Sequence, residues 1–111
     1  MHELGLCTSI VDAIERRAGE RSVAQVRVRV GKLHHVHPEA FDQSFALAAM
    51  GTVAEDANAE LVLLPVLAHC TACTADWEAD SVPIVCERCG SVDIELLGGD
   101  ELVLESIVYR T

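Results

Sequence analysis

Aromatic side chains are scarce in this chain of 111 residues: the few present are Phe41, Phe45, Trp77 and Tyr109. Half of the residues are nevertheless apolar, so we expect a buried core built mainly from aliphatic side chains. A chain of this length buries only about two-thirds of the surface that its unfolded state exposes. A bound metal or a partner would therefore add to its stability.

Basic residues are also few, since 8 Lys and Arg stand against 18 Asp and Glu, for a formal net charge of −10. Nucleic acid and anionic membranes repel such a chain at long range. No signal peptide is recognisable, and no apolar run reaches the roughly 18 residues of a membrane helix. The sequence predicts a cytoplasmic protein that binds neither nucleic acid nor a membrane. In a reducing compartment, clustered cysteines favour metal over disulfides.

Signatures of catalysis are missing as well. The phosphate-binding pattern Gly-x-x-x-x-Gly-Lys-Ser/Thr does not occur, so the chain is not expected to hydrolyse GTP. No spacing supports a Ser-His-Asp-like set or a Cys–His nucleophile. We therefore expect a protein that is not an enzyme.

Apolar periodicity predicts a helix over residues 4–18 and a strand over residues 23–30. In the helix, apolar residues recur at steps of three and four and so share one face. In the strand, valines alternate with Arg27 and Arg29, as in a sheet with one solvated side. The apolar helical positions are Cys7, Ile10, Val11, Ile14 and Ala18.

The second half of the chain predicts a helix and two further strands. Pro38 suits the first turn of a helix whose apolar stripe is Phe41, Phe45, Ala48 and Ala49, and Gly51 ends it. Residues 60–67 predict a strand with Pro65 near its end or edge. Residues 101–109 predict a last strand, after a Gly98-Gly99 turn. The expected fold is α+β, a small two-helix domain with a three-stranded sheet and an inserted zinc-ribbon-like domain that carries four cysteines.

Four of the five cysteines form two Cys-x-x-Cys pairs, Cys70–Cys73 and Cys86–Cys89, separated by twelve residues. Each pair can wrap one edge of a metal ion, and together they supply the four sulfurs, at about 2.3 Å, of a tetrahedral Zn²⁺ site. Gly90 follows the second pair, where a glycine eases a tight turn. This pattern predicts structural zinc whose binding is inseparable from the folding of residues 69–97.

Two other uses of the four sulfurs stay open. Iron takes the same geometry in rubredoxin-like carriers, although the gap between the pairs is short for that. Two dithiol pairs can also perform redox chemistry. The remaining cysteine, Cys7, is expected to be a small buried apolar residue, with a metal-binding or regulatory role as the alternative.

The first three residues, Met1, His2 and Glu3, offer a nitrogen-rich donor set. A free α-amine, the backbone nitrogen of His2 and its imidazole can chelate one ion in a plane, and Glu3 can add its amide or carboxylate. Such a set suits Ni²⁺ or Cu²⁺ better than tetrahedral Zn²⁺. The alternative is a terminal histidine with no function.

Several motifs follow one another in a distinctive order along the chain. In this order they resemble the HypA family of hydrogenase nickel-incorporation proteins, and the resemblance covers essentially the whole chain. The motifs are Met1-His2-Glu3, Val26-x-Val28-x-Val30-Gly31-x-Leu33, Val36-x-Pro38-Glu39, Phe41, Phe45, Gly51-Thr52, the two Cys-x-x-Cys pairs and a final apolar strand.

The resemblance implies a nickel metallochaperone. It implies that residues 1–67 plus 98–111 form a nickel-binding α/β domain and that residues 68–97 form an inserted zinc-binding domain. By the same resemblance, Ni²⁺ is a transferred cargo, delivered together with a GTPase partner (HypB) to the large subunit of nickel-iron hydrogenase, or also to urease. A monomer or a weak homodimer is expected. The implied ligands are Met1, His2 and Glu3 for nickel, and Cys70, Cys73, Cys86 and Cys89 for zinc.

One stretch departs from the family pattern, because His34, His35 and His37 stand where small or polar residues are usual. They are either solvated loop histidines or an auxiliary metal-holding patch, and His37 is alternatively a cap of the second helix. The competing function is an acidic zinc-ribbon adaptor without nickel delivery. It would need a basic or aromatic binding face, yet residues 69–97 carry one base, Arg88, against Asp76, Glu78, Asp80, Glu87, Asp93 and Glu95.

Overall fold

The structure, a computed structural model, describes residues 3–111. Within this range the chain forms two α-helices and two three-stranded sheets, so the predicted α+β class is confirmed. It divides into a helical unit, residues 3–29, 36–62 and 103–111, and a cysteine unit, residues 30–35 and 63–102. The division predicted from the resemblance, 1–67 plus 98–111 and 68–97, stays a prediction.

The first helix, α1, spans Glu3–Ala18. All five residues of its predicted apolar face are buried, among them Cys7 and Ile14 with no exposed surface. Gly19 follows in the left-handed region, with φ of 64°, which a residue without a Cβ adopts at little cost and which ends the helix. The period of the apolar residues thus predicted both the helix and its buried side.

The first strand, β1, spans Val23–Gly31, with Val26, Val28 and Val30 buried and Arg27 and Arg29 exposed. The solvated side carries ion pairs to neighbouring strands, and the closest joins Arg27 Nε to Glu60 Oε1 at 3.0 Å. Both partners are about two-fifths exposed, so solvent screens these ion pairs and they add little to the stability of the fold. The predicted strand with one wet face is confirmed.

The second helix, α2, spans Pro38–Ala49, after a single 3₁₀ turn at Lys32–His34. Its buried residues are Phe41, Phe45 and Ala49, and the two rings stack with their centroids 6.2 Å apart. Ala48, also predicted on the stripe, is only half-buried. Neither α1 nor α2, the two α-helices of residues 3–111, could span a lipid bilayer.

The single strand predicted over residues 60–67 is wrong, because the structure has two strands there. β2 spans Asn58–Leu64 and β3 spans Val66–Cys70. Pro65 separates them because it has no N–H to donate to a ladder. β2 pairs in the sheet that contains β1, whereas β3 is the central strand of the second sheet.

The second sheet contains two strands that the sequence did not predict. They are β4, Asp76–Ala79, and β5, Ile94–Gly98, and the strand order is β4-β3-β5 with antiparallel pairing on both sides. The last strand, β6, spans Leu102–Tyr109 and completes the first sheet in the order β2-β1-β6. The predicted three-stranded sheet is therefore present.

A close backbone approach lies in the cysteine unit between Gly31 and the turn that follows β5. The N–H of Gly31 donates to the carbonyl of Glu101 at 2.8 Å. A Cβ at residue 31 would lie 1.9 Å from the carbonyl oxygen of Gly99. Gly31 is therefore required by the lack of space and not by its backbone angles, which are extended, with φ of −71°.

Candidate metal centres

The four sulfurs of Cys70, Cys73, Cys86 and Cys89 all lie within 4.8 Å of one another. Among residues 3–111 they form the only group of three or more potential metal-ligating side chains. The Sγ atoms of Cys70 and Cys89 are 3.6 Å apart, and those of Cys73 and Cys86 are 3.7 Å apart. All four are free thiols, since a disulfide would bring two sulfurs to about 2.05 Å.

The sulfur positions fit a tetrahedral metal site. Four sulfurs at about 2.3 Å from one Zn²⁺ lie about 3.8 Å from each other along each edge of the tetrahedron. The two separations given above, 3.6 and 3.7 Å, are close to this edge. The donor set and its spacing therefore suit a metal such as zinc.

Both Cys-x-x-Cys segments fold into the same turn. The N–H of Thr74 donates to the carbonyl of Cys70 at 2.8 Å, and the N–H of Gly90 donates to the carbonyl of Cys86 at 2.8 Å. Thr74 and Gly90 both adopt positive φ, 65° and 78°. The sequence predicted this conformation at Gly90, but at Thr74 it gave no sign, because a β-branched residue rarely adopts it.

The second sheet brings the two turns together. Cys70 is the last residue of β3 and pairs with Ile94, the first residue of β5. Beside this pair, the N–H and the hydroxyl of Thr71 both donate to the carbonyl of Asp93, at 2.9 and 3.1 Å. The segment that carries Cys86 and Cys89 is thereby joined to the turn that carries Cys70 and Cys73.

The thiols of Cys70 and Cys89 differ in acidity. The N–H of Cys73 lowers the pKa of Cys70 to about 7, and the N–H of Ala72 adds to this effect. The N–H of Ser91 lowers the pKa of Cys89. The contact of the Cys89 thiol with Cys70 and its desolvation outweigh this effect and raise the pKa of Cys89 to about 12. The pKa of the Cys70 thiol is therefore lower than that of its neighbour Cys89. A divalent cation would stabilise both as thiolates.

The cluster is buried on one side only. Cys70 and Cys86 have 0% and 2% of their surface exposed, Cys73 is half-buried and Cys89 is exposed. All six acidic residues that the sequence placed around the cysteines are exposed. Two of them contact a base, since Asp80 pairs with Lys32 and Asp76 with the imidazole of His69.

Of the three residues predicted to hold nickel, Met1 and His2 lie outside the described residues, and Glu3 is described. A Glu3 carboxylate oxygen, Oε2, accepts a hydrogen bond from the backbone N–H of His37 at 3.2 Å. This bond lowers the pKa of Glu3 below its ordinary value, and the N–H of Glu3 itself lowers it further. The carboxyl is therefore ionised at neutral and mildly acidic pH and can serve as a metal ligand.

The three loop histidines have different surroundings. Nε2 of His34 lies 2.9 Å from the carbonyl oxygen of Asp100. His35 ends the 3₁₀ turn with φ of 54°. His37 occupies the N-cap position of α2, but its side chain makes no capping bond, so the predicted capping role is confirmed in position only. Sequence reasoning missed the contact between His37 and Glu3, because no local pattern links residues 34 positions apart.

Comparison with known proteins identifies the family of the chain. Residues 1–109 match the family model described as "Hydrogenase/urease nickel incorporation, metallochaperone, hypA". The chain belongs to the HypA family. HypA proteins are metallochaperones and maturation factors, which agrees with the expectation that the chain is not an enzyme.

Individual members of the HypA family match over nearly their full length. The hydrogenase maturation factor HypA 1 of Bradyrhizobium diazoefficiens is 36% identical, and the match covers 96% of this chain and 97% of that protein. The hydrogenase maturation factor HypA of Francisella philomiragia is 33% identical over 99% of this chain and all of that protein.

Solved HypA structures share the fold. The solution structure of the Ni metallochaperone HypA from Helicobacter pylori matches with a TM-score of 0.67 at 24% identity, over 98% of this chain and 97% of that one. A second solution structure of a HypA protein matches with a TM-score of 0.54 at 19% identity. The arrangement of elements described above is therefore the HypA fold.

Proposed function

We propose that the protein binds Ni²⁺ at its first three residues and delivers it to the large subunit of nickel-iron hydrogenase, while a structural Zn²⁺ holds the four cysteines. The observation that carries the nickel site is the Glu3 carboxylate, which follows Met1 and His2 in the sequence and accepts a hydrogen bond from the backbone N–H of His37. The hydrogenase target is supported by the family match and by relatives named hydrogenase maturation factors.

Zinc in the cysteine cluster would be held by Cys70, Cys73, Cys86 and Cys89. Four thiolates fill a tetrahedral shell, so the ion has no open position and supplies stability, not catalysis. The cysteine unit has few large buried side chains, namely Val30, Val66, Cys70 and Cys86. It therefore needs the metal as a crosslink between its two turns.

The nickel donors would be the Met1 α-amine, the backbone nitrogen and imidazole of His2, and the Glu3 carboxylate. Three nitrogens and one oxygen favour Ni²⁺ over Zn²⁺, which prefers a tetrahedral sulfur-rich site. The two ions are thus assigned to donor sets of different chemistry. The sulfur site keeps its ion, and the terminal site can exchange its own.

Proton competition gives the nickel site a route to release. The amine, imidazole and backbone nitrogen must be deprotonated to bind, so affinity falls as pH drops. The Glu3 carboxyl, whose pKa is lowered from its ordinary value, competes with protons less than these nitrogen donors do. The nitrogen donors therefore set the pH at which nickel leaves.

Delivery of nickel would also require partner proteins that supply functions this chain lacks. A HypB-type GTPase would supply the nucleotide hydrolysis, since the chain has no phosphate-binding loop of its own. The exposed acidic residues of the cysteine unit suit a basic surface on a partner. Service to urease, a cytoplasmic location and a monomeric or weakly dimeric state remain predictions.

The experiment that tests delivery is complementation of a bacterial strain lacking its own nickel-incorporation factor. The untagged parent should restore hydrogenase activity at low external nickel, whereas His2→Ala should not. Excess nickel should rescue the variant, because a carrier is needed only when the metal is scarce. Restoration by His2→Ala at low nickel would favour the acidic adaptor function, in which the protein carries no nickel.

A further inference from the structure

The helix α2 carries large apolar side chains on its exposed side as well as on its buried side. Gln43, Leu47 and Met50 follow one another at steps of four and three, so they share one helix face. Leu47 has 57% and Met50 63% of its surface exposed. This face is distinct from the buried face that carries Phe41 and Phe45, and packing of the core does not account for its apolar residues.

The exposed face of α2 forms one wall of a groove in the helical unit, which we call the α2 groove. Its volume is about 420 Å³, within the roughly 300–1,000 Å³ typical of ligand sites in proteins. The opposite wall is the loop of residues 50–57, which links α2 to β2. Besides Leu47 and Met50, the apolar lining consists of Phe45, Ala46, Ala49, Ala54 and Ala57.

Hydrogen bonds hold the loop wall of the α2 groove in place. The hydroxyl of Thr52 donates to the carbonyl of Ala49 at 2.7 Å and accepts from the N–H of Ala54 at 3.1 Å. The guanidinium of Arg110 donates to the carbonyl of Asp56 at 3.1 Å. The groove is therefore formed before a ligand enters, and binding does not have to order this loop.

The rim of the α2 groove is negative. Glu55 and Asp56 line the groove and are exposed, whereas no Lys or Arg of residues 3–111 lines it. Neither carboxylate forms an ion pair within that range. The C-terminal end of α2 also lies here, where the helix dipole favours a cation. A second copy of this chain, with its net charge of −10, would be repelled from such a rim.

We propose that the α2 groove is a docking site for a basic amphipathic segment of another protein. An apolar side chain of that segment lies against Leu47 and Met50, and burial of this surface supplies affinity. A Lys or Arg beside it pairs with Glu55 and Asp56, and this pairing selects a basic partner. The inference does not depend on the proposed nickel site, because the groove shares no residue with residues 1–3.

Titration of the zinc-loaded full chain with a synthetic amphipathic peptide of leucine and lysine, followed by nuclear magnetic resonance, tests the proposal. The largest shifts should fall on residues of the α2 groove. The double variant Leu47→Ala/Met50→Ala should bind the peptide about tenfold more weakly or worse, as expected when apolar anchors are truncated. Val108→Ala is the matched control, because Val108 is also exposed, at 53%, and does not line the groove. It should bind as the parent does, and circular dichroism checks that every variant is folded.

A second pair of variants tests the role of charge. Glu55→Gln/Asp56→Asn should weaken binding about threefold, the effect expected of two exposed ion pairs. Glu15→Gln/Glu20→Gln removes the same charge at exposed positions outside the groove and should change the affinity little. A peptide with glutamate in place of lysine should not bind.

Several results would overturn the docking site. They are parent-like binding by Leu47→Ala/Met50→Ala, equal weakening by the two charge variants, and shifts spread over the acidic surface. Groove shifts that depend on protein concentration without peptide would assign the groove to a second copy instead. Nickel uptake by Leu47→Ala/Met50→Ala should equal that of the parent. A parent that takes up no nickel would therefore refute the proposed function and leave this inference standing.

Discussion

Cys7 and the clustered cysteines show how position decides the chemistry of one residue type. Cys7 is fully buried on α1, and its thiol donates to the Phe41 carbonyl. Burial raises the pKa of Cys7 to about 11, and the charges of Glu3 and Asp42 add to the effect. The structure therefore supports the predicted packing role and leaves no accessible thiolate for a metal or for regulation.

Alkylation tests this difference in acidity. At pH 8, Cys7 should stay unlabelled in the folded protein, because its thiol loses its proton only as the pH approaches about 11. Once a chelator has removed the structural metal, iodoacetamide should label the four clustered cysteines and not Cys7. Mass spectrometry counts the labels, and denaturant should expose the fifth site as a control. A fifth label without denaturant would contradict the burial of Cys7.

At the scale of secondary-structure elements, regular periodicity made the long elements predictable. The apolar face of α1 and the alternating valines of β1 are buried as the sequence predicted. β4 and β5 have only four and five residues and carry too short an alternation to be recognised. Their pairing with β3 depends on tertiary contacts that no local pattern encodes.

The same distinction applies to the candidate sites. The two Cys-x-x-Cys pairs predicted that the four cysteines lie close together, because a tetrahedral sulfur site needs four thiolates around one ion. The contact of Glu3 with His37 was not predictable, since it follows from how α1 packs on α2. Sequence spacing therefore identifies a site within one motif more readily than a site shared by distant elements.

Gly31 joins β1 to the 3₁₀ turn, and its replacement tests the close packing of these elements. Gly31→Ala should lower the free energy of unfolding by at least about 2 kcal/mol, because the added Cβ would meet the Gly99 carbonyl oxygen at 1.9 Å and two backbones cannot separate freely. Gly51→Ala is the control. Its Cβ meets nothing within 4 Å, and it should cost only the roughly 1 kcal/mol of a left-handed backbone. Urea denaturation measures both, and equal costs would contradict the steric argument.

At the scale of the whole molecule, the two compact units carry the two proposed metal sites. The four cysteines belong to the cysteine unit, and Glu3 belongs to the helical unit. The helical unit has an aliphatic and aromatic core that includes Ile14, Val26 and Phe41. Its stability should therefore depend less on metal than the stability of the cysteine unit.

Removal of one sulfur ligand tests whether the stability of the cysteine unit depends on metal more than that of the helical unit. Cys73→Ser should lose zinc and unfold the cysteine unit, because three thiolates leave the tetrahedral shell incomplete. The α1 and α2 signal in circular dichroism should largely persist. Cys7→Ser is the matched control and should retain zinc, since Cys7 lies outside the cluster. Full zinc content in Cys73→Ser would contradict the ligand set.

The central claim is that the protein holds one resident zinc ion and one transferable nickel ion, and metal content tests this claim most directly. Untagged protein that starts at Met1 is exposed to Ni²⁺, freed of loosely held metal by gel filtration, and measured by elemental analysis beside His2→Ala. The account predicts one zinc and one nickel per chain in the parent, and one zinc with almost no nickel in the variant. A parent that takes up no nickel, or a variant that takes up as much as the parent, would contradict it.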